Sequence, residues 1–229
     1  MKLPVLISSP HGGWRIPHAA GPYCALTPEQ IAADGDEGAW EIYTSFRDSV
    51  NVLVTTDMAR AIVDMNRAED DRGPDGVVKT HTCWNVPVYR EFPPEIVIRK
   101  LLEEYYRPYH TLLSRHSKSV QLGIDCHTMA AKGPPIGPDP DAERPAICLS
   151  NGKNTCPDEW LTSLAGCFEE AFDRPVSINH PFRGGYIIQH HTQELPWIQL
   201  EVSRAPFLSN KEKAVRVLES IRAWCKREN

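Results

Sequence analysis

Two histidines in this 229-residue chain sit where apolar, strand-like runs should stop. "VLISSPHGG" delivers His11 after Val5, Leu6 and Ile7 and follows it with two glycines. "LGIDCHT" delivers Asp125 and His127, which alternation along a strand puts on one face with Cys126 on the other. Polar groups interrupt two more apolar runs. Asp64, Asn66 and Arg67 close "AIVDMNR", and Glu201 lies between Leu200 and Val202 in "WIQLEVS". In α/β sheets, ligands gather outside the carboxyl ends of strands, so several such groups can converge. Two histidines and a carboxylate suffice to hold a zinc ion with positions open for water or substrate. A separate carboxylate can then act as general base on the metal-bound water, whose pKa zinc lowers to about 7. The planar fork of Arg67 suits a substrate carboxylate through paired hydrogen bonds that lysine cannot make. Each residue also has an ordinary structural role open to it. A strand-ending histidine is a common polar cap, and Glu201, costly to bury alone, can pair with Arg204 or Arg60.

The elements that must position these groups alternate. Strands are expected at Val5–Ile7, "NVLVTT" (51–56), "AIVDMN" (61–66), "VQLGIDCHT", "AICLSN", "VSINHP", "GGYIIQHH" and "WIQLEVS". "TPEQIAAD" is a helix start, with Thr27 as cap, Pro28 first in the helix and Gln30 completing a capping box. A second helix is expected from near Asp36, with Trp40, Tyr43, Phe46 and Val50 at helical spacing. Further helices are "PPEIVIRKLLEEYYRPYHTLLSRHSK", interrupted around Pro108, "PDEWLTSLAGCFEEAF", and "KEKAVRVLESIRAWCKR". In the last of these Ala214, Val217, Leu218, Ile221 and Trp224 make one core stripe. Strands alternating with helices predict a single α/β domain over 1–229, a sheet with helices on both faces.

Bulk properties narrow the function classes. With 41% hydrophobic and 24% charged residues, the chain reads as a soluble globular protein. A net charge of -5 argues against a nucleic-acid partner, which needs a basic face. No apolar run approaches the ~20 residues of a membrane span. Seven cysteines, an odd number without a C-x-x-C, form no disulfide framework; together with no secretory signal this predicts a cytoplasmic protein with reduced thiols.

"SPHGG", "ARAIVDMNR", "YYRPYH", "DCHTM", "NHPFRGGYI" and "QLEVSR" occur in the order and spacing of the N-formylglutamate amidohydrolases, and from about residue 5 to 208 the chain resembles that family. The resemblance implies a three-layer fold with a mixed twisted sheet, like that of the zinc carboxypeptidases and aspartoacylases (phosphorylase/hydrolase-like). It implies one zinc ion held by His11, Asp36 and His127, with the glycines after His11 letting metal and substrate approach the backbone. Glu201 corresponds to the catalytic carboxylate and Arg60 to an arginine that polarises the scissile carbonyl. Asn66 and Arg67 match the pair that grips a substrate carboxylate. The family's aspartate-tryptophan reads "GDEGAWEIY" here, so Glu37 is an alternative to Asp36, which in turn could be a helix N-cap.

"PFRGGYI" supplies Gly184 and Gly185 for close backbone approach and Arg183 for a second carboxylate, as a diacid requires; a hairpin turn with a solvated arginine is the alternative. His190 and His191 are expected at the rim or surface, and Asp125 either behind a histidine or bonded to backbone. The implied reaction is zinc-dependent hydrolysis of a linear amide in a small acidic N-acyl amino acid, N-formyl-L-glutamate first among candidates. The alternatives are a peptidase or amidase on another small substrate, or a non-catalytic binder of an acidic metabolite. An intact Glu201 speaks against the last, since binding alone needs no base there.

Overall fold

The computed structural model describes residues 2–228. The apolar runs form six strands: β1 (Leu3–Ser9), β2 (Val50–Thr55), β3 (Leu122–Met129), β4 (Ile147–Ser150), β5 (Val176–Ile178) and β6 (Trp197–Ser203). They join one sheet in the order β2-β1-β3-β6-β4-β5. The first four strands in that order are parallel, β4 runs antiparallel to β6, and β5 is parallel to β4, so the sheet is mixed. β3 and β6 are buried at every position, as strands covered on both faces must be.

The helices are α1 (Pro28–Asp34), α2 (Ala39–Thr44), α3 (Glu95–Leu101), α4 (Arg107–His116), α5 (Asp158–Phe172), α6 (Tyr186–His190) and α7 (Asn210–Arg227). Residues of α2, α5 and α7 pack with Ile124, Cys126, Ile198, Leu200 and Val202 into one core. Residues of α1, α3, α4 and α6 pack with Leu6, Val54 and Trp197 into the other. Helices therefore cover both faces. α1 has the expected capping box between Thr27 and Gln30, and Ser209 with Glu212 makes another at α7. The α7 stripe is buried at Ala214, Val217, Ile221 and Trp224, with Leu218 partly buried against it.

Four local expectations need correction. Residues 61–66 form no strand; they are a buried loop whose backbone is satisfied outside any ladder. Ile62 N donates to Ala59 O (2.9 Å), Asp64 N to Val77 O (2.9 Å) and Asn66 N to the Asp64 carboxylate (2.8 Å). The run "GGYIIQHH" contains the helix α6, because neighbours bind the N–H groups at its start: Gly185 N donates to Gln199 Oε1 (2.6 Å) and Ile187 N to Asn66 Oδ1 (2.7 Å). α2 is shorter than its apolar spacing predicted, and Val50 opens β2 instead. The interruption in the long helical region is a π turn at Leu102–Tyr106; it runs straight into α4, whose first turn contains Pro108, a residue with no N–H to bond back into the preceding turn.

Candidate metal and substrate site

Strand register assembles the polar groups. Ser8 pairs with Asp125, Asp125 with Gln199, and His127 with Glu201. One face of the carboxyl end of the sheet therefore carries Ser8, Asp125 and Gln199 in a row, with His127 and Glu201 in the next. His11 enters two residues beyond β1. Asp36 comes from the turn between α1 and α2, pinned by its own N–H to His11 O (3.0 Å).

The glycines after His11 serve the chain's own packing, which corrects the expectation that they open space for ligands. A Cβ on Gly12 would lie 3.1 Å from Trp40 N, and one on Gly13 would overlap the Asp57 carbonyl. Asp36 does not cap α2; Gly38 occupies that position with φ 83°, freeing the carboxylate. The Glu37 side chain is exposed while its carbonyl accepts from Thr128 Oγ1 (2.8 Å). Asp36, not Glu37, faces the histidines.

His11, Asp36 and His127 are all buried, and one potential ligand atom from each lies within 4.8 Å of the others. Asp36 Oδ2 is 2.9 Å from His127 Nδ1 and 3.7 Å from His11 Nδ1. His11 Nδ1 has no hydrogen-bond partner although it is buried. On the far side, both rings are held by a carboxylate: His11 Nε2 donates to Asp64 Oδ1 (2.7 Å) and His127 Nε2 to Asp125 Oδ2 (2.8 Å). This is the outer-shell arrangement that orients metal-binding imidazoles and turns the opposite nitrogen inward. The donor set fits a divalent ion of the zinc type. Burial would raise the Asp36 pKa, but His11 and His127 outweigh it and hold the carboxyl well below its usual range. Burial likewise opposes charge on His127, yet Asp125 and Asp36 hold its pKa well above the ordinary histidine value.

A layer of buried charge supports these residues from beneath. Asp64 accepts from Arg60 Nε (3.0 Å), and Arg60 Nη1 lies 3.8 Å from Asp36 Oδ1. Lys79 has no solvent exposure; its Nζ lies 3.0 Å from Asp75, 3.4 Å from Asp34 and 3.5 Å from Asp64. A fully buried lysine persists only when paired. Arg67 donates to the Asp75 carboxylate (2.5 Å), to Asp75 O (2.7 Å) and to Asn66 O (3.0 Å). Three of its five N–H donors are thus engaged and two are left. Asn66 donates to Asp125 Oδ2 (3.0 Å) and accepts from Ile187 N, so its amide braces the site.

The carboxyl row is braced from α4. Tyr109 Oη and Ser8 Oγ are 2.9 Å apart, and Ser8 Oγ donates to Asp125 Oδ1 (2.8 Å). Tyr106 donates to Arg67 O (2.7 Å), and His110 Nε2 meets Met65 O (3.0 Å). The "YYRPYH" residues therefore fix the loop that carries Asp64, Asn66 and Arg67. Glu201 makes no ion pair with Arg60 or Arg204. Its Oε1 accepts from Gln199 Nε2 (2.9 Å), and burial pushes its pKa up to about 7 against the pull of His127. Arg204 instead holds Gly35 O (2.7 Å) and Thr128 O (3.0 Å).

His11, Asp36, Arg60, Asn66, Arg67, His127, Gln199 and Glu201 line one cavity of about 260 Å³, with Arg183, Gly184, Gly185, Trp84, Ile136 and Phe182 among its other walls. Arg183 is exposed. Gly184 has φ 90°, and a Cβ there would overlap Ile188; one on Gly185 would overlap the Asn66 amide. His190 is exposed beside Tyr186, whereas His191 is buried against His110 (Nε2 to Nδ1, 2.9 Å) and outside the His11–Asp36–His127 cluster. Cys126 faces the opposite, apolar core. The local sequence singles out none of Lys79, Asp34, Asp75 and Gln199, and it marks Asp64 without giving its role. Asp64 and Glu201 share the same signal, an acid beside apolar neighbours, but Lys79 offers only its position after the apolar pair Val77-Val78.

The profile of the N-formylglutamate amidohydrolase family matches residues 3–208. The chain belongs to this family. It is similar to the N-formylglutamate deformylase of Pseudomonas putida, 25% identical over 228 aligned positions, covering 92% of this chain and 84% of that protein. The N-formylglutamate deformylase of Pseudomonas aeruginosa is 26% identical over 255 aligned positions, covering 97% and 94%. Among solved structures, the N-formylglutamate amidohydrolase from Ralstonia eutropha JMP134 superposes with a TM-score of 0.78 at 18% identity, over 100% of this chain and 96% of that one. The last likeness is one of fold.

Proposed function

We propose that this family member is a metal-dependent amidohydrolase that cleaves the amide of a small acidic N-acyl amino acid, with zinc as the metal and N-formyl-L-glutamate as the leading substrate. The observation that carries the reading is the buried, unpartnered Nδ1 of His11, turned toward Asp36 and His127 while both imidazoles are held from behind by carboxylates. His11, Asp36 and His127 would hold the ion. When bound, it supplies Lewis-acid activation of water and of the scissile carbonyl.

The protein's own groups do the rest. Glu201, buried with a pKa near 7, takes a proton from the attacking water and passes it to the departing amine nitrogen. Gln199 holds one carboxylate oxygen of Glu201 and leaves the other for that exchange. Arg60, anchored through Nε on Asp64, turns its remaining N–H groups to the oxyanion as the carbonyl becomes tetrahedral. Arg67 offers its two remaining N–H donors to the α-carboxylate, with Asn66 fixing the loop. Arg183 takes the second carboxylate of a diacid, and Gly184 and Gly185 make room for Ile188 and the Asn66 amide, which seats the segment carrying Arg183 against the site. The water proton, hydroxyl and amide fragments balance as one acid and one amine.

The test is the metal content of the purified protein, measured together with turnover of a panel of N-formyl, N-acetyl and N-succinyl amino acids. Hydrolysis that follows metal loading is expected. A metal-loaded protein that turns over no member of the panel contradicts the proposal.

A further inference from the structure

Large apolar side chains left in water at a cavity wall forgo the stabilisation that covering them with an apolar group would give. Trp84 is 41% exposed and Ile136 44% exposed, and both line the cavity that holds His11, Asp36, His127 and Glu201. Neither is exposed through looseness. Trp84 donates its indole N–H to Ala33 O (3.0 Å), and the preceding Cys83 N–H is held by the buried carboxylate of Asp34 (2.7 Å). Asp34 is in turn paired with Lys79, inside the charged layer under the site. Ile136 N donates to Cys83 O (3.1 Å), which ties the two wall segments together.

The segment that carries Ile136 is itself closed. Gly133 makes two backbone hydrogen bonds across its base, donating its N–H to Ala142 O (2.9 Å) and accepting at its carbonyl from Asp141 N (3.0 Å). Arg144 makes two contacts to Asp139 (2.6 and 2.8 Å) and stacks over the Phe182 ring at 4.8 Å, and Phe182 also lines the cavity. An aromatic face, an aliphatic side chain and a second ring are thus fixed in place around the reacting centre. Of the arginines lining the cavity, Arg60, Arg67, Arg144 and Arg204 are bound to carboxylates or carbonyls. Arg183 makes no hydrogen bond or ion pair among the described residues.

We propose that Trp84 and Ile136 form an apolar subsite of this cavity and that the favoured substrate is an N-acyl amino acid bearing a hydrocarbon or aryl group beside its carboxylate. The inference rests on the amidohydrolase reading of the site and keeps its reaction, but it moves first place among substrates from N-formyl-L-glutamate to a more apolar N-acyl amino acid. The carboxylate meets the free guanidinium of Arg183 or the spare donors of Arg67. The hydrocarbon, on the acyl group or the amino-acid side chain, covers the indole face. N-formyl-L-glutamate binds with this wall bare, because a one-carbon acyl group and a charged side chain give it nothing to cover.

The experiment compares kcat/KM for N-formyl-L-glutamate, N-formyl-L-leucine, N-formyl-L-phenylalanine and N-benzoyl-L-glutamate on the metal-loaded wild type, Trp84→Ala and Ile136→Ser. At least one apolar substrate should exceed N-formyl-L-glutamate by about tenfold or more, the size of effect a hydrophobic pocket gives. That ratio should fall toward one in both variants. N-formyl-L-glutamate as the best wild-type substrate, or a ratio that neither variant moves, overturns the subsite. If the wild type turns over none of the four, the reaction reading fails separately, and calorimetric titration with the same compounds decides the subsite. Tighter binding of the apolar members that Trp84→Ala abolishes upholds it; equal binding overturns it.

Discussion

β3 and β6 present opposite chemistry on their two faces. Toward α2, α5 and α7 they turn Ile124, Cys126, Ile198, Leu200 and Val202, none with any solvent exposure. Toward the other face they turn Asp125, His127, Gln199 and Glu201, nearly as deeply buried. Burial therefore does not separate the two. What separates them is that the apolar face is satisfied by contact alone, whereas each group of the polar face has a specific hydrogen-bond partner, the condition for keeping buried polar groups. The apolar face should carry stability and the polar face chemistry, and variants at neighbouring positions of one strand can test that division.

The largest effect is expected at Glu201. Glu201→Gln keeps the size and the Gln199 contact but cannot accept a proton, so kcat should fall roughly 10²–10⁴-fold. Melting temperature should change little, since no arginine is left unpaired. Measured together, a near-normal kcat would remove Glu201 as the base. The adjacent residue should do the reverse. Leu200→Ala opens the fully buried apolar face and should cost about 2–5 kcal/mol in denaturant unfolding, with activity per folded molecule unchanged. A large kcat loss in a variant of normal stability would break the division between faces.

Asp125→Asn tests the outer layer. It leaves the His127 ring in place but weakens its carboxylate support, and metal affinity in a chelator competition should drop about 10–100-fold. Unchanged affinity would make Asp125 purely structural. The smallest effect sits behind the polar face, at His110. Burial first, then the neighbouring His191, push its pKa down to about 3. The folded state thus keeps this ring neutral where the unfolded chain, titrating near 6.5, binds a proton. Its contribution is present above about 6.5 and is lost as pH falls toward 3. His110→Gln should flatten the fall in unfolding free energy over that window; an unchanged slope assigns the acid sensitivity elsewhere.

Legibility in the sequence followed the same division. Cores, caps and the strands β1, β3 and β6 were readable because their signals are local: apolar runs, a Thr27–Gln30 box, an α7 stripe. His11, His127 and Glu201 were readable because each breaks an apolar run at a strand end. Asp64 and Lys79 were not assigned, because their importance lies in partners distant in sequence, His11 for Asp64 and Asp34 for Lys79. Tertiary contacts also overrode two local patterns. The 61–66 run has a strand's composition, yet side chains and turns take its hydrogen bonds. The α6 segment becomes helical because Asn66 and Gln199 accept its first N–H groups.

The central claim is that the polar face is built to hold one divalent ion on His11, Asp36 and His127. Its most direct test is zinc binding by the purified wild type, His11→Ala and His127→Ala, in competition with a chromophoric chelator, with folding checked by circular dichroism. The account predicts about one ion per wild-type chain and loss of tight binding in both folded variants. Full occupancy retained in His127→Ala, or no tight site in the wild type, would contradict it.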